Sequence, residues 1–80
     1  MNFGEAIKAI KDGKKVTRKG WNGKGMFLEM VNPNLEPVAN ENGTQYQVTP
    51  FICIKTPADV LQVWNASQAD VFAEDWILDD

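Results

Sequence analysis

Nine residues set between two strand-like runs, Arg18-Lys19-Gly20-Trp21-Asn22-Gly23-Lys24-Gly25-Met26, constrain this chain more than any other stretch. Three glycines free the backbone to take positive φ and to approach another surface closely, so the chain must loop here. Before the loop, Lys15-Val16-Thr17-Arg18 alternates polar and apolar residues and predicts a short strand with Val16 turned inward. After it, Met26 to Val31 is almost wholly apolar and predicts a strand near the middle of a sheet. Joined as a hairpin, the two bring Arg18, Lys19, Trp21 and Lys24 close together. A tryptophan among cations suits a flat, negatively charged ligand. A long hairpin turn whose tryptophan caps the core explains the same residues, since glycine and asparagine are ordinary turn residues.

Eighty residues make one domain, and a chain of that length buries only about 60–65% of the surface its unfolded form exposes. Oligomerisation is the natural remedy. Cys53 is the lone cysteine, set in the apolar run Phe51-Ile52-Cys53-Ile54, and is expected to be a buried thiol; with no histidine, a transition-metal site is not expected. The chain opens on no leader-like pattern and carries no apolar run of membrane-spanning length, so a soluble protein inside the cell is the expectation.

The net charge of −3 argues against general DNA or RNA affinity. Its distribution is uneven. Up to Gly25 there are seven cations against two carboxylates, whereas from Met26 onward Lys55 stands alone against nine. That asymmetry suits a small anionic ligand at one edge, head-to-tail contacts between subunits, or plain solvation.

The remaining elements follow from spacing. Asn2 and Glu5 form a capping-box pair, Phe3, Ala6, Ile7 and Ile10 recur at helical intervals, and Gly13 ends a helix predicted from about Phe3 to Asp12. Asn32 to Thr44 is rich in asparagine and proline and predicts an exposed loop, with a small hairpin at Glu41-Asn42-Gly43-Thr44. Gln45 to Val48 adds a short edge strand stopped by Pro50. Phe51 to Lys55 is the strongest strand signal, and Ala58-Asp59 turns the chain into another strand at Val60 to Trp64. Ser67, with Asp70 three residues later, reads as the N-cap of a short helix from Gln68 to about Ala73 that carries Val71 and Phe72 inward. Either the free N–H groups of that helix hold an anion or Ser67 and Asp70 satisfy them. A strand at Asp75 to Leu78 closes the pattern, with Trp76 in the core.

No catalytic constellation emerges. The chain lacks a histidine for a serine or cysteine dyad, paired cysteines, a P-loop and a dinucleotide-binding glycine pattern. Asp70 and Glu74, four apart, suit an acid pair or a cation site if the helix reaches that far. What remains is aromatic platforms (Trp21, Trp64, Trp76), polar donors (Asn22, Asn65, Ser67, Gln68) and a few cations, which describe a binder.

Those residues also carry a resemblance. Met1 to Ala6, Gly13-Lys14-Lys15-Val16, Arg18 with Gly20-Trp21-Asn22-Gly23-Lys24-Gly25-Met26, and Trp64 with Ala66-Ser67-Gln68, Asp70 and Ala73-Glu74-Asp75-Trp76 resemble a family of small phage and prophage proteins. Long catalogued as a domain of unknown function, it includes the second-type Thoeris anti-defence sponges. About three quarters of the chain is covered, and the segment from Asn32 to Val48 matches loosely. The resemblance implies a non-enzymatic homotetramer in the host bacterial cytoplasm, without cofactor. It would sequester glycocyclic ADP-ribose, the signal made by bacterial TIR-domain proteins, and in some members also cyclic dinucleotides of the CBASS pathway.

Residue chemistry is compatible with that implication. Trp21 or Trp64 can stack an adenine, a contact worth about 1–3 kcal/mol. Arg18 and Lys24, or the N–H groups opening the Ser67 helix, can hold phosphate, while Asn22 and Asp70 suit ribose hydroxyls or a base edge. Met26 belongs to the matched string. The expectation is therefore a small α+β homo-oligomer: an antiparallel sheet with an N-terminal helix and a short C-terminal helix, binding a cyclic nucleotide signal between subunits. The alternatives are a protein–protein interaction module without a nucleotide ligand and a small structural protein of a prophage.

Overall fold

The computed structural model describes residues 1–21, 25–32, 38–39, 41–46 and 48–79. Helix α1 spans Phe3–Lys11, and both halves of its capping box are made: Asn2 Oδ1 accepts the Glu5 N–H at 2.8 Å, and Glu5 Oε1 accepts the Asn2 N–H at 2.9 Å. Asp12 is the C-cap and Gly13, at φ +86°, takes the left-handed conformation that ends the helix. Ala6 and Ile10, four residues apart, form its buried edge.

Strands β1 (Val16–Arg18), β2 (Phe27–Val31), β5 (Phe51–Lys55), β6 (Leu61–Val63) and β7 (Trp76–Leu78) make one antiparallel sheet in the order β6-β5-β2-β1-β7. As expected, β2 lies in the middle. It pairs with β1 at Val16↔Leu28 and with β5 from Phe27↔Lys55 to Val31↔Phe51. Opposite residues of an antiparallel ladder share a face. Val16, Leu28, Ile54 and Trp76 therefore fall on one side, and α1 packs there to complete a core of Ala6, Ile10, Val16, Leu28 and Trp76. Burying Ile10, Val16 and Leu28 contributes about 1.5–3 kcal/mol each. Trp76, fully buried, is the hub: Phe3, Trp21 and Trp64 place their rings 5.8, 5.4 and 6.1 Å from it. Phe27, Glu29, Cys53 and Lys55 line the opposite side, as do Leu61 and Val63. Cys53 is a free, buried thiol.

Between β5 and β6 the chain reverses at Asp59, whose φ is +62°, and Lys55 Nζ meets Asp59 Oδ1 at 2.8 Å. Helix α2 (Gln68–Phe72) joins β6 to β7 and packs on α1.

Three expectations need correction. Val71 and Phe72 do not point inward; they are 37% and 78% exposed. Asp70 is the inward residue of α2, and at about 100° per residue its two successors swing away from the core. Glu74 shares no helix face with Asp70, because α2 stops at Phe72 and Ala73 is extended (φ −67°, ψ 147°). The short strand read at Gln45 to Val48 is β4 (Gln45–Tyr46), paired with β3 (Val38–Ala39) in a separate ribbon, so the part read as loop ahead of the small hairpin contains a strand. The hairpin expected around Gly43 (φ +80°) is what joins them.

Candidate functional site

The most charged cluster among the described residues forms where the C-terminal segment crosses the start of the glycine loop. Arg18, the last residue of β1, lies opposite Trp76 on the helix-covered side of the sheet. From there its guanidinium reaches two carboxylates: Nη1 donates to Asp70 Oδ1 and Nε to Asp75 Oδ1, both at 2.8 Å. The guanidinium carbon sits 5.9 Å from the Trp76 ring centroid, a cation–π contact.

Asp70 serves two elements. Its Oδ2 accepts the Ser67 N–H at 3.0 Å and the Ser67 hydroxyl at 2.9 Å, while its own N–H donates to Ser67 Oγ at 3.1 Å. Those bonds are the capping reading of Ser67, and they occupy the N–H groups of Ser67 and Asp70. The Trp76 indole Nε1–H donates to the Asp70 carbonyl at 3.1 Å, fixing α2 over the core. Burial alone would raise the Asp70 carboxyl, but hydrogen bonds from Ser67 and Arg18 outweigh it and hold the group below the ordinary carboxylate value.

Asp75 organises the entry to the loop. Its Oδ2 accepts the Gly20 N–H at 2.9 Å and its carbonyl accepts the Lys19 N–H at 3.1 Å. A Cβ at Gly20 would stand 2.9 Å from that same Oδ2, so a larger residue here would push the Asp75 carboxylate out of its place. Arg18 depresses the Asp75 carboxyl, and Asp75 in turn raises the guanidinium. Three side chains locked in their charged states suit positioning. They are not poised for proton transfer near neutral pH.

Trp21 follows directly. Its N–H donates to the Arg18 carbonyl at 3.2 Å, and its half-buried ring stands edge-on to Trp76 at 79°. Trp64 is also half-buried, and its ring lies 6.1 Å from both Phe3 and Trp76. Met26 is partly buried, and its carbonyl accepts the Thr17 hydroxyl at 2.8 Å, closing the base of the β1–β2 hairpin. Of the residues singled out from sequence, Arg18, Trp21, Trp64, Ser67 and Asp70 thus gather around Trp76, with Met26 at the hairpin. Asn22 and Lys24 lie outside the described residues. Among the described residues there is no ligand-sized hollow within the single protomer, no cluster arranged to hold a metal ion, and no helix long and apolar enough to cross a membrane.

Sequence reasoning overlooked Asp75. Its place in the matched string Ala73-Glu74-Asp75-Trp76, directly before the core tryptophan, was the available signal.

Residues 1–78, which contain every side chain of this network, match the profile of the Tad2-like family, described as the Thoeris anti-defense 2-like domain. The chain belongs to that family. Consistently, it is 41% identical over 83 aligned positions to Thoeris anti-defense 2 of Bacillus phage SP01, an alignment covering 95% of this chain and 91% of the relative. Membership in the Tad2-like family supports a phage anti-defence role directed at Thoeris.

Proposed function

We propose that this Tad2-like protein is a sponge: it binds a cyclic nucleotide immune signal, glycocyclic ADP-ribose in the first instance, and withholds it without altering it. The observation carrying this reading is the Trp21 platform. Its ring rises from the core beside Trp76, and the Arg18–Asp75–Gly20 contacts fix the backbone that presents it. A preorganised indole loses little freedom on binding, so stacking with an adenine contributes directly to affinity. The lysines of the adjoining loop balance the pyrophosphate, since Arg18 is already paired with Asp70 and Asp75, and a neighbouring copy in a homotetramer completes the cleft. Within the cluster, Asp70 is occupied by Ser67 and Arg18, so its part is to hold Arg18 in place.

A trap of this kind needs no general base, and Asp70 and Asp75 are both engaged by Arg18. Acting on a signal made by the infected bacterium places the protein in the host cytoplasm.

Isothermal titration with glycocyclic ADP-ribose and a panel of cyclic dinucleotides tests the reading. Saturable heat with at least one, reduced in Trp21→Ala, supports it. No heat with any of them at micromolar protein overturns it.

A further inference from the structure

The glycine loop between β1 and β2 is held at both of its described ends by side chains from elsewhere in the chain. At the first end the anchor is Asp75, just ahead of β7. Its Oδ2 accepts the Gly20 N–H at 2.9 Å and its carbonyl accepts the Lys19 N–H at 3.1 Å, while Arg18 Nε donates to Oδ1 at 2.8 Å. At the second end the anchor is Lys55, the last residue of β5, which lies opposite Phe27. Its Nζ donates to the Gly25 carbonyl at 3.2 Å. Gly25 sits at φ +78°, and the Thr17 hydroxyl donates to the next carbonyl, that of Met26, at 2.8 Å.

The two anchors match in kind. A carboxylate takes an N–H and an ammonium takes a C=O, each a charge-assisted hydrogen bond of the stronger sort. Each anchor is itself fixed: Asp75 by Arg18, and Lys55 by Asp59 Oδ1 at 2.8 Å and by the Phe27 ring, whose centroid lies 5.6 Å from Nζ. Their side chains are 32% and 26% exposed. They stand 55 and 30 residues from the glycines they hold, so the tertiary fold sets where the loop begins and ends.

We infer that Asp75 and Lys55 are a pair of positioning residues for the ligand site, clamping both ends of the loop that carries Trp21. Fixing both ends of a short loop before a ligand arrives lowers the ordering cost of binding. Releasing either end reduces the population of the competent arrangement and raises the apparent dissociation constant in proportion. The inference rests on the sponge reading and extends it to Lys55, a residue outside the aromatic cluster and on the opposite side of the sheet from α1.

Asp75→Asn separates positioning from charge, because the two effects have opposite signs. Losing a negative charge beside an anionic ligand, and releasing a donor of Arg18, would by electrostatics alone tighten binding. Positioning predicts weaker binding, since an amide cannot present an acceptor to both Arg18 and Gly20 where they stand. The assay is isothermal titration with glycocyclic ADP-ribose, or with whichever cyclic dinucleotide binds in its stead, on variants shown by circular dichroism to be folded. Asp75→Asn should raise the dissociation constant about tenfold, but less than about twofold when added to Trp21→Ala, where no ring is left to position. Lys55→Met keeps the stem over Phe27 and should also cost about tenfold, a loss that persists at about 0.5 M salt, where through-space attraction is screened. Lys55→Arg, which retains a donor for the Gly25 carbonyl, should recover most of it. If Asp75→Asn does not fold, the Lys55 variants decide. If the unmodified protein binds but Asp75→Asn binds as tightly or more tightly, or the Lys55→Met loss vanishes at high salt, the clamp is wrong and the sponge reading stands. If the unmodified protein binds none of these nucleotides, both fall.

Discussion

Replacing Asp70 by asparagine removes one negative charge and leaves the side chain's shape almost unchanged. The carboxylate accepts three hydrogen bonds, one from Arg18 and two from Ser67, and the side chain is 13% exposed. An amide offers one acceptor oxygen and one N–H2 group, so at least one side of this arrangement meets a donor where it needs an acceptor. A lost bond to a charged group costs about 1.5–3 kcal/mol, and low exposure leaves little solvent to soften it. For a domain of this size that lowers the melting temperature by about 8–20 °C.

The pH dependence makes the test specific. Asp70 titrates below its ordinary value of 3.8 in the folded protein, so its contribution is fully present above that value and is lost as pH falls through the lower folded value. The gap between native and variant melting temperatures should therefore be widest near neutrality and shrink below about pH 4. Calorimetric melts at fixed protein concentration, from about pH 7 to pH 2.5, measure it. A gap of under about 2 °C at neutrality, or one that stays constant across the range, refutes the argument that an ionised Asp70 holds α2 to β1.

The two core-side tryptophans should separate fold from binding. Trp76→Ala removes the buried hub and should cost about 3–5 kcal/mol, enough to unfold much of the protein by circular dichroism. Trp21→Ala should leave the fold largely intact and weaken binding of glycocyclic ADP-ribose by roughly one to two orders of magnitude in titration calorimetry, the value of one stacked base. Gly20→Ala forces a Cβ against Asp75 Oδ2, so the Gly20–Asp75 bond should break, with a loss of about 1–2 kcal/mol in denaturant unfolding. Cys53 is buried, and burial, aided by Glu29, raises its thiol, so it should react with a disulfide reagent far more slowly than an exposed cysteine until denaturant is added.

Local chemistry was the readable part of the fold. Both capping boxes, Asn2 with Glu5 and Ser67 with Asp70, are made from residues three apart, and the helices start where they stand. The main strands follow their apolar runs, and the central place of β2 follows from a segment apolar on both faces. The misread features depend on distant partners. Phe72 looked like a core residue because its neighbours are apolar, yet Asp70 takes the inward position by meeting Arg18, 52 residues away. Asp75 was read as the start of the last strand with no partner assigned, and only the β1–β7 pairing brings it to Arg18 and Gly20. The β3–β4 ribbon was half legible, since Gly43 marks its turn while the two residues of β3 carry no periodicity.

Capture without chemistry is the centre of the account, and recovery of the ligand tests it most directly. The protein is incubated with a sub-stoichiometric amount of glycocyclic ADP-ribose, the unbound fraction is collected by ultrafiltration, the retained protein is denatured by heat, and both fractions are quantified by mass spectrometry. The account predicts an almost empty filtrate and full return of the unaltered cyclic nucleotide from the denatured protein. Free ligand in the filtrate, or a hydrolysed product in either fraction, would contradict it.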